Sequence, residues 1–438
     1  MVWAVVQNSV FVFDFLSHLV PISGTASSRS STTSLANLHD LVSGFTSSKS
    51  AILGLQVLTR YLSWDSHERV LQLVGLFELS WFFSDGSWVL LSLVRYKGWI
   101  QRTSLGAPNC ITSRFTVNMP GLTLPPFPED IPTHPLLVID YELIQAGDSE
   151  EIEKLWKAAR ELGFWYLKNH GADKEVEGMF DMGAETMDLP VEEKMKFEQG
   201  SEGNSFGYKA LGTISTNEYG NPDNVEFINI SKDDALAYPE VKNRTYPSTV
   251  NAHMLSTITP FVRKSLAVFE TIYSVFDKKL DLPDGAHTDY GSLSFLHNRL
   301  GGLQVLPPGS PDWHYVRPMP GHAICNIGDA LSLLSGGILR SNMHRVVPPP
   351  GVQAAYTRWS VVCFSRPCVN AELRALDESE LIKETLSNMT SEERAKYNPG
   401  VTQGEWYVRR MKNTRLKNRK GPETYFASRG MEHRPNVI

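Results

Sequence analysis

The sequence predicts an α+β chain with a mainly-β core, a sandwich or barrel, flanked by helices. Two observations carry this. Between His287 and Phe364, short apolar runs are separated by Gly and Pro turns, a spacing that fits a sandwich or barrel. Upstream, apolar residues recur at helical intervals, first over Ile152–Leu162 and then along Ala252–Leu280.

The first 118 residues read differently from the rest. Met1–Ile22 is apolar, but it has no basic leading region and is interrupted by Asp14 and His18, a poor match to a signal peptide. Ser23–Ser34 is a Ser/Thr-rich low-complexity run. Leu71–Val94 is apolar enough to suggest a membrane helix, yet Glu78, Asp85 and Gly86 break it, and charges near mid-membrane are costly. Met119-Pro120-Gly121-Leu122 and the proline-rich stretch after it look like a natural start. Residues 1–118 are therefore expected to be an atypical extension, disordered or an artefact of the gene model.

From Leu136 the pattern becomes regular. Leu136–Ile139 reads as a buried strand. Asp148, with Glu151 three residues later, marks a helix start, and Gly163 ends that helix. Phe164–Leu167 reads as a strand, Leu189–Glu193 as a helix start with Pro190 in its first turn, and Asn224–Ile230 as a strand. Ala252–Leu280 reads as one long helix with Phe261, Leu266, Phe269 and Ile272 in the core. The strands predicted beyond it are Ser292–His297, Leu303–Leu306, Trp313–Val316, His322–Ile327 and Arg358–Phe364. Ala371–Leu386 reads as helical. Arg409–Lys420 holds seven Lys or Arg in twelve residues, expected to form a solvated helix face because no aromatic residues interleave it.

Composition narrows the function classes. An apolar content of 42%, a charged content of 21% and a net charge of −6 describe an ordinary globular chain. They give no electrostatic reason to bind nucleic acid or an anionic membrane. Cys110, Cys325, Cys363 and Cys368 make neither a metal motif nor a disulfide framework, so a reducing, cytoplasmic setting is expected.

Chemistry concentrates between His287 and Ser360. Two imidazoles and a carboxylate can hold a divalent metal on one face and leave the other face open, which suits non-haem Fe(II). His287 and Asp289 stand at i and i+2, so in an extended segment both point to the same side. His344 is the candidate third ligand. By chance alone, 12 His and 48 carboxylates in 438 residues give about one His-x-Asp/Glu, so the pair means little in isolation. The ordered set His287, Asp289, His344, Arg358, Ser360 inside a strand-rich block means much more. Arg358 and Ser360 share a strand face, where an Arg fork and a hydroxyl can together take a carboxylate. His297, His314 and His322 do not fit the ligand order and are expected to be structural.

This set resembles the 2-oxoglutarate/Fe(II)-dependent dioxygenase superfamily, in its isopenicillin N synthase-like branch. The surrounding words are similar as well: HTDYGSLSFL, GGLQVLP, CNIGDALSLLSGG, NMHRVVPPPG, RWSVVCFSRP and, upstream, ELGFWYLKNHG. The resemblance runs from Leu136 to the C-terminus and implies a double-stranded β-helix, or jelly-roll, core with flanking helices. It divides the chain into the 1–118 extension, an N-terminal dioxygenase domain at 119–284, a jelly-roll core at 285–370, and C-terminal helices with a basic tail at 371–438. It implies Fe(II) held by His287, Asp289 and His344, 2-oxoglutarate gripped at its far carboxylate by Arg358 and Ser360, O2 as oxidant, and ascorbate as an optional addition. The expected partner is a small organic metabolite oxidised by hydroxylation, desaturation or ring closure. A monomer is expected, with no nucleic acid and no membrane.

One departure from the family stands out. The helix ending near Leu280 is followed almost at once by His287, where relatives carry a longer stretch that includes a strand of the main sheet. The sheet is therefore expected to be one strand short, with unpaired backbone groups that are costly to bury. Two alternatives stay open: an oxidase of the isopenicillin N synthase type that needs no 2-oxoglutarate, and an inactive binding protein truncated before His287.

Overall fold

Two sheets and a separate meander organise the residues described in this computed structural model, namely 2–7, 51–60, 74–84, 87–93, 124–282 and 293–429. In chain order the strands are β1 (Val2–Gln7), β2 (Ala51–Arg60), β3 (Val74–Ser84), β4 (Ser87–Leu93), β5 (Val138–Asp140), β6 (Phe164–Lys168) and β7 (Gly207–Lys209). They continue with β8 (Val225–Ile230), β9 (Leu293–Asn298), β10 (Leu303–Val305), β11 (His314–Tyr315), β12 (His322–Ile327), β13 (His344–Val346) and β14 (Arg358–Phe364).

The chain divides into two units, Phe13–Arg114 and Met1–Val12 together with Phe115–Ile438. In the first, β2, β3 and β4 form an antiparallel meander. Leu71–Val94, apolar enough to raise a membrane helix, holds two antiparallel strands whose last pair is Ser84 with Ser87. Among the described residues no helix is long and apolar enough to cross a membrane.

In the second unit the main sheet has the order β5-β6-β12-β9-β14-β1-β8-β7, and a smaller sheet has the order β11-β10-β13. β5 runs parallel to β6 and the other pairs are antiparallel. The main sheet takes strands from both 119–284 and 285–370, so those two stretches are parts of one compact unit. Val2–Gln7, inside the stretch expected to be an extension, lies within this sheet between β14 and β8.

The central strands are buried on both faces, and the cluster each residue joins alternates along the strand, as a period of two requires. Trp165 and Leu167 of β6, Ala323, Cys325 and Ile327 of β12, and Trp359, Val361 and Cys363 of β14 join one core cluster with helical residues such as Leu155, Met179, Phe261 and Phe276. Phe164 and Tyr166 of β6 and Ile324 of β12 join a second cluster with Leu303 and Val305 of β10. Helices thus cover one face of the main sheet, and the small sheet covers part of the other. Arg358 and Ser360 are even-numbered on β14 and point away from the helices, into this inter-sheet face.

Several predicted elements keep their bounds to within a residue or two, and the differences have local causes. The Ser149–Glu161 helix is capped by Asp148, whose side chain accepts from Glu151 N at 2.8 Å. It ends at Gly163, where φ is +75° and a Cβ would sit 1.9 Å from Arg340 O, so no other residue fits. The stretch 252–280 is not one helix: a π turn, Met254–Ile258, precedes the Thr259–Lys279 helix. Pro260, in that helix's first turn, has no N–H to continue the ladder from upstream. The predicted Ala371–Leu386 helix begins only at Glu380. Before it, Leu373 and Ala375 donate their N–H groups to Val401 O and Tyr397 O, and the Ser379 side chain caps Ile382 N at 3.1 Å.

The basic run is also different from the expectation of a solvated face. Arg410 pairs with Asp329 at 2.9 Å and lies over the Trp406 ring. Arg415 is buried and donates to Gln199 Oε1 and Thr213 Oγ1, and Arg419 donates to Glu218 O at 2.6 Å. The run clamps the C-terminal helices onto the body of the unit.

Candidate active site

Arg358 is 2% exposed and Ser360 4%. The Arg358 Nη1 donates to Ser360 Oγ at 2.6 Å, and its Nε donates to Gly301 O at 2.8 Å. These bonds use two of the five N–H donors of a guanidinium. Among the described residues no carboxylate pairs with it, and burial pulls the guanidinium down to about 10, still charged at neutral pH. A buried cation without an anion is costly, so an arrangement of this kind can take an anion supplied from outside. A guanidinium fork can hold a carboxylate in two hydrogen bonds.

Neighbouring backbone holds this group in place. Gly302 has φ +114°, and a Cβ there would lie 2.4 Å from Val347 O and 3.1 Å from Arg358 Cδ, so the β9–β10 link can pass the arginine only as glycine. Gly301 N donates to Gln353 Oε1 at 2.9 Å, and Gln353 Nε2 donates to Pro125 O at 2.9 Å. Gln353, 1% exposed, therefore fixes the carbonyl that Arg358 holds.

His344 comes from the small sheet. Its β13 neighbours across the ladder are on β10, with His344 opposite Val305 and Val346 opposite Leu303. Both of those β10 residues face the inter-sheet cluster, so His344 faces it too, its ring edge-on to Phe164 at 5.3 Å. Its Nδ1 lies 3.0 Å from Asn342 O. A carbonyl only accepts, so in the neutral ring the proton sits on Nδ1 and the lone pair on Nε2. That tautomer, oriented by a backbone carbonyl, is the usual arrangement of a metal-binding imidazole. The residue is solvent-exposed.

His287 and Asp289 lie outside the described residues, as does most of the short junction before them. Among the described residues no cluster of three or more His, Cys, Asp or Glu could hold a metal. His297 is buried beside His170, Phe295 and Phe261. His322 Nδ1 is 2.8 Å from Pro320 O, and His314 packs near His134.

Three polar residues on this face escaped the sequence reading. Asn298 lies opposite Ser360 across the β9–β14 ladder. Ser294 lies opposite Asn326 and donates to its Oδ1. A signal existed: Ser294 and Asn298 occur at alternate positions of an apolar strand, and Asn326 interrupts one.

Two family models match this chain. Residues 136–252 match the family model of the non-haem dioxygenase in morphine synthesis N-terminal region, and residues 262–367 match that of the 2OG-Fe(II) oxygenase superfamily. The 2-oxoglutarate-dependent dioxygenase frbH of Dothideomycetidae sp. is 30% identical over 275 residues, which cover 55% of this chain and 84% of that protein. The homoarginine-6-hydroxylase 2-ODD-233 of Oryza sativa subsp. japonica is 30% identical over 257 residues, covering 49% of this chain and 76% of that one. Among solved structures, a full-length Neurospora crassa protein crystallised in complex with alpha-KG aligns over 63% of this chain and 95% of its own, at 22% identity and a TM-score of 0.49.

Proposed function

The chain belongs to the 2OG-Fe(II) oxygenase superfamily and is a 2-oxoglutarate-dependent dioxygenase, and from that premise we propose how its own residues serve the reaction. Fe(II), 2-oxoglutarate and O2 are its metal, cosubstrate and oxidant. We assign the metal to His287, Asp289 and His344, and the far carboxylate of 2-oxoglutarate to Arg358 and Ser360. The two sheets are read as the two sides of a jelly roll, with the site between them. The substrate is a small organic metabolite, which is hydroxylated, desaturated or cyclised.

The observation that carries this reading is the buried Arg358, paired with no carboxylate among the described residues and hydrogen-bonded to Ser360 on the face that His344 also meets. When bound, Fe(II), 2-oxoglutarate and O2 would supply the oxidation, one oxygen atom of O2 entering succinate as the keto acid loses CO2 and the other serving to oxidise a substrate C–H bond. The protein's part is positional. Arg358 fixes one end of the cosubstrate by a two-point grip, Ser360 steadies that grip, and the Nδ1–H bond to Asn342 O keeps the His344 ring turned with Nε2 outward. Phe164, Leu303 and Ile324 make part of this inter-sheet face apolar, and a drier face strengthens a charge pair.

The test is turnover of labelled 2-oxoglutarate with Fe(II), O2 and a panel of small organic acids and amines. Substrate-stimulated succinate is the expected result. Oxygen consumption with no cosubstrate requirement would instead favour an oxidase of the isopenicillin N synthase type.

A further inference from the structure

β1 sits in the middle of the main sheet although it comes from the first residues of the chain. Its six residues pair antiparallel on both edges. Val2 to Gln7 lie opposite Cys363 back to Arg358 on one side, and opposite Ile230 back to Val225 on the other. In the sheet order it is the link between β14 and the β8–β7 pair. The segment reads VWAVVQ, with β-branched and aromatic residues and no charge, Gly or Pro, as a central strand requires. Without it, β14 and β8 would each present an open edge, although Arg358 to Cys363 are all buried and buried backbone groups need partners.

We propose that the chain contains a strand slot between β8 and β14, and that Val2–Gln7 of the same chain fills it. Slot occupancy also holds the cosubstrate grip, because the ladder partners of Ser360 and Arg358 are Val5 and Gln7. This second part rests on the reading of Arg358 and Ser360 as the 2-oxoglutarate site. The intervening chain is long enough that closure in cis adds little entropic cost per further residue.

The register supplies a test that leaves the fold intact. Val2 lies directly opposite the native Cys363, and facing residues in antiparallel strands are spaced within disulfide range. Mild oxidation of full-length Val2→Cys followed by peptide mapping is expected to join that position to Cys363 within one chain. Failure to form the link would overturn the slot. A covalent dimer with the link running between chains would overturn its filling in cis. A second variant, Ala4→Pro, removes a ladder donor from a central strand. Amide exchange in β14 and β8 is expected to accelerate by about tenfold or more, and a peptide of residues 1–8 added in trans is expected to restore protection. Unchanged exchange would overturn the proposal. If Ala4→Pro speeds exchange but leaves 2-oxoglutarate affinity as in the parent, the coupling to the grip is overturned and the slot stands. If the parent itself binds no 2-oxoglutarate while the cross-link forms, the slot is supported and the site reading fails.

Discussion

Arg358→Met removes the guanidinium from the inter-sheet face and keeps most of its side-chain volume. Burial lowers this guanidinium to about 10, which at 1.36 kcal/mol per pKa unit makes a charge with no carboxylate partner among the described residues unfavourable by roughly 3 kcal/mol. A carboxylate arriving beside it restores an amount of that order, and at 1.4 kcal/mol per factor of ten the variant should bind 2-oxoglutarate about a hundredfold more weakly. Truncating one member of a buried charge pair costs about 2–5 kcal/mol, which brackets the figure. The assay is calorimetric titration of 2-oxoglutarate into the anaerobic, Fe(II)-loaded chain, with iron content as the control. Without ligand, the variant should unfold no earlier than the parent, because it no longer buries an uncompensated charge. The stabilisation that 2-oxoglutarate gives the parent should be absent. Arg358→Lys should also fail, since a lysine keeps the charge but loses the fork. An affinity within about threefold of the parent would mean that the ligand's carboxylate lies elsewhere.

Other outcomes follow from the same geometry. Ser360→Ala loses one hydrogen bond, at about 1 kcal/mol, and should raise KM for 2-oxoglutarate about fivefold with iron binding intact; a change in iron content instead would reassign the serine. His344→Ala should lose Fe(II) on gel filtration while keeping its circular dichroism, and normal iron retention would remove His344 from the ligand set. His297 is held well below the usual imidazole range by burial, then by His170; His170 is itself lowered, chiefly by burial. Both are therefore neutral in the fold where imidazoles of the unfolded chain take up protons. Stability should be flat above pH about 6.5 and fall below it, by up to about 1.4 kcal/mol per pH unit for each ring. Urea midpoints that do not drop between pH 7.5 and 5.5 would refute this, and His297→Leu should reduce the drop.

Much of this structure is legible in the sequence where the signal is local. His322–Ile327 and Arg358–Phe364 are bounded by turn residues and emerge as strands with those same ends. Asp148 caps its helix as the Asp-x-x-Glu spacing implies. Arg358 and Ser360 could be paired because i and i+2 share a face on any strand. The Asp173–Met187 helix is hard to read because it buries Met, Gly, Ala and Thr alongside Val176 and Phe180, and starts at Ala172 without a side-chain cap. Its periodicity and its start signal are both weak. What depends on register was not legible at all. Nothing local in Gln353 announces that it ties Gly301 to Pro125, or in Arg415 that it meets Gln199. Nor does VWAVVQ announce that its ladder partners lie at 225–230 and 358–363.

The claim that two imidazoles, one carboxylate and the Arg358 grip converge on a single centre is tested most directly by joint titration. Fe(II) and 2-oxoglutarate are added anaerobically to the full chain, each in the absence and presence of the other. One iron per chain is expected. Because the keto acid end would bind the same metal, cosubstrate binding should tighten when iron is present, with the reciprocal effect on iron. Iron binding that is absent, or that leaves 2-oxoglutarate affinity unchanged, would contradict the claim.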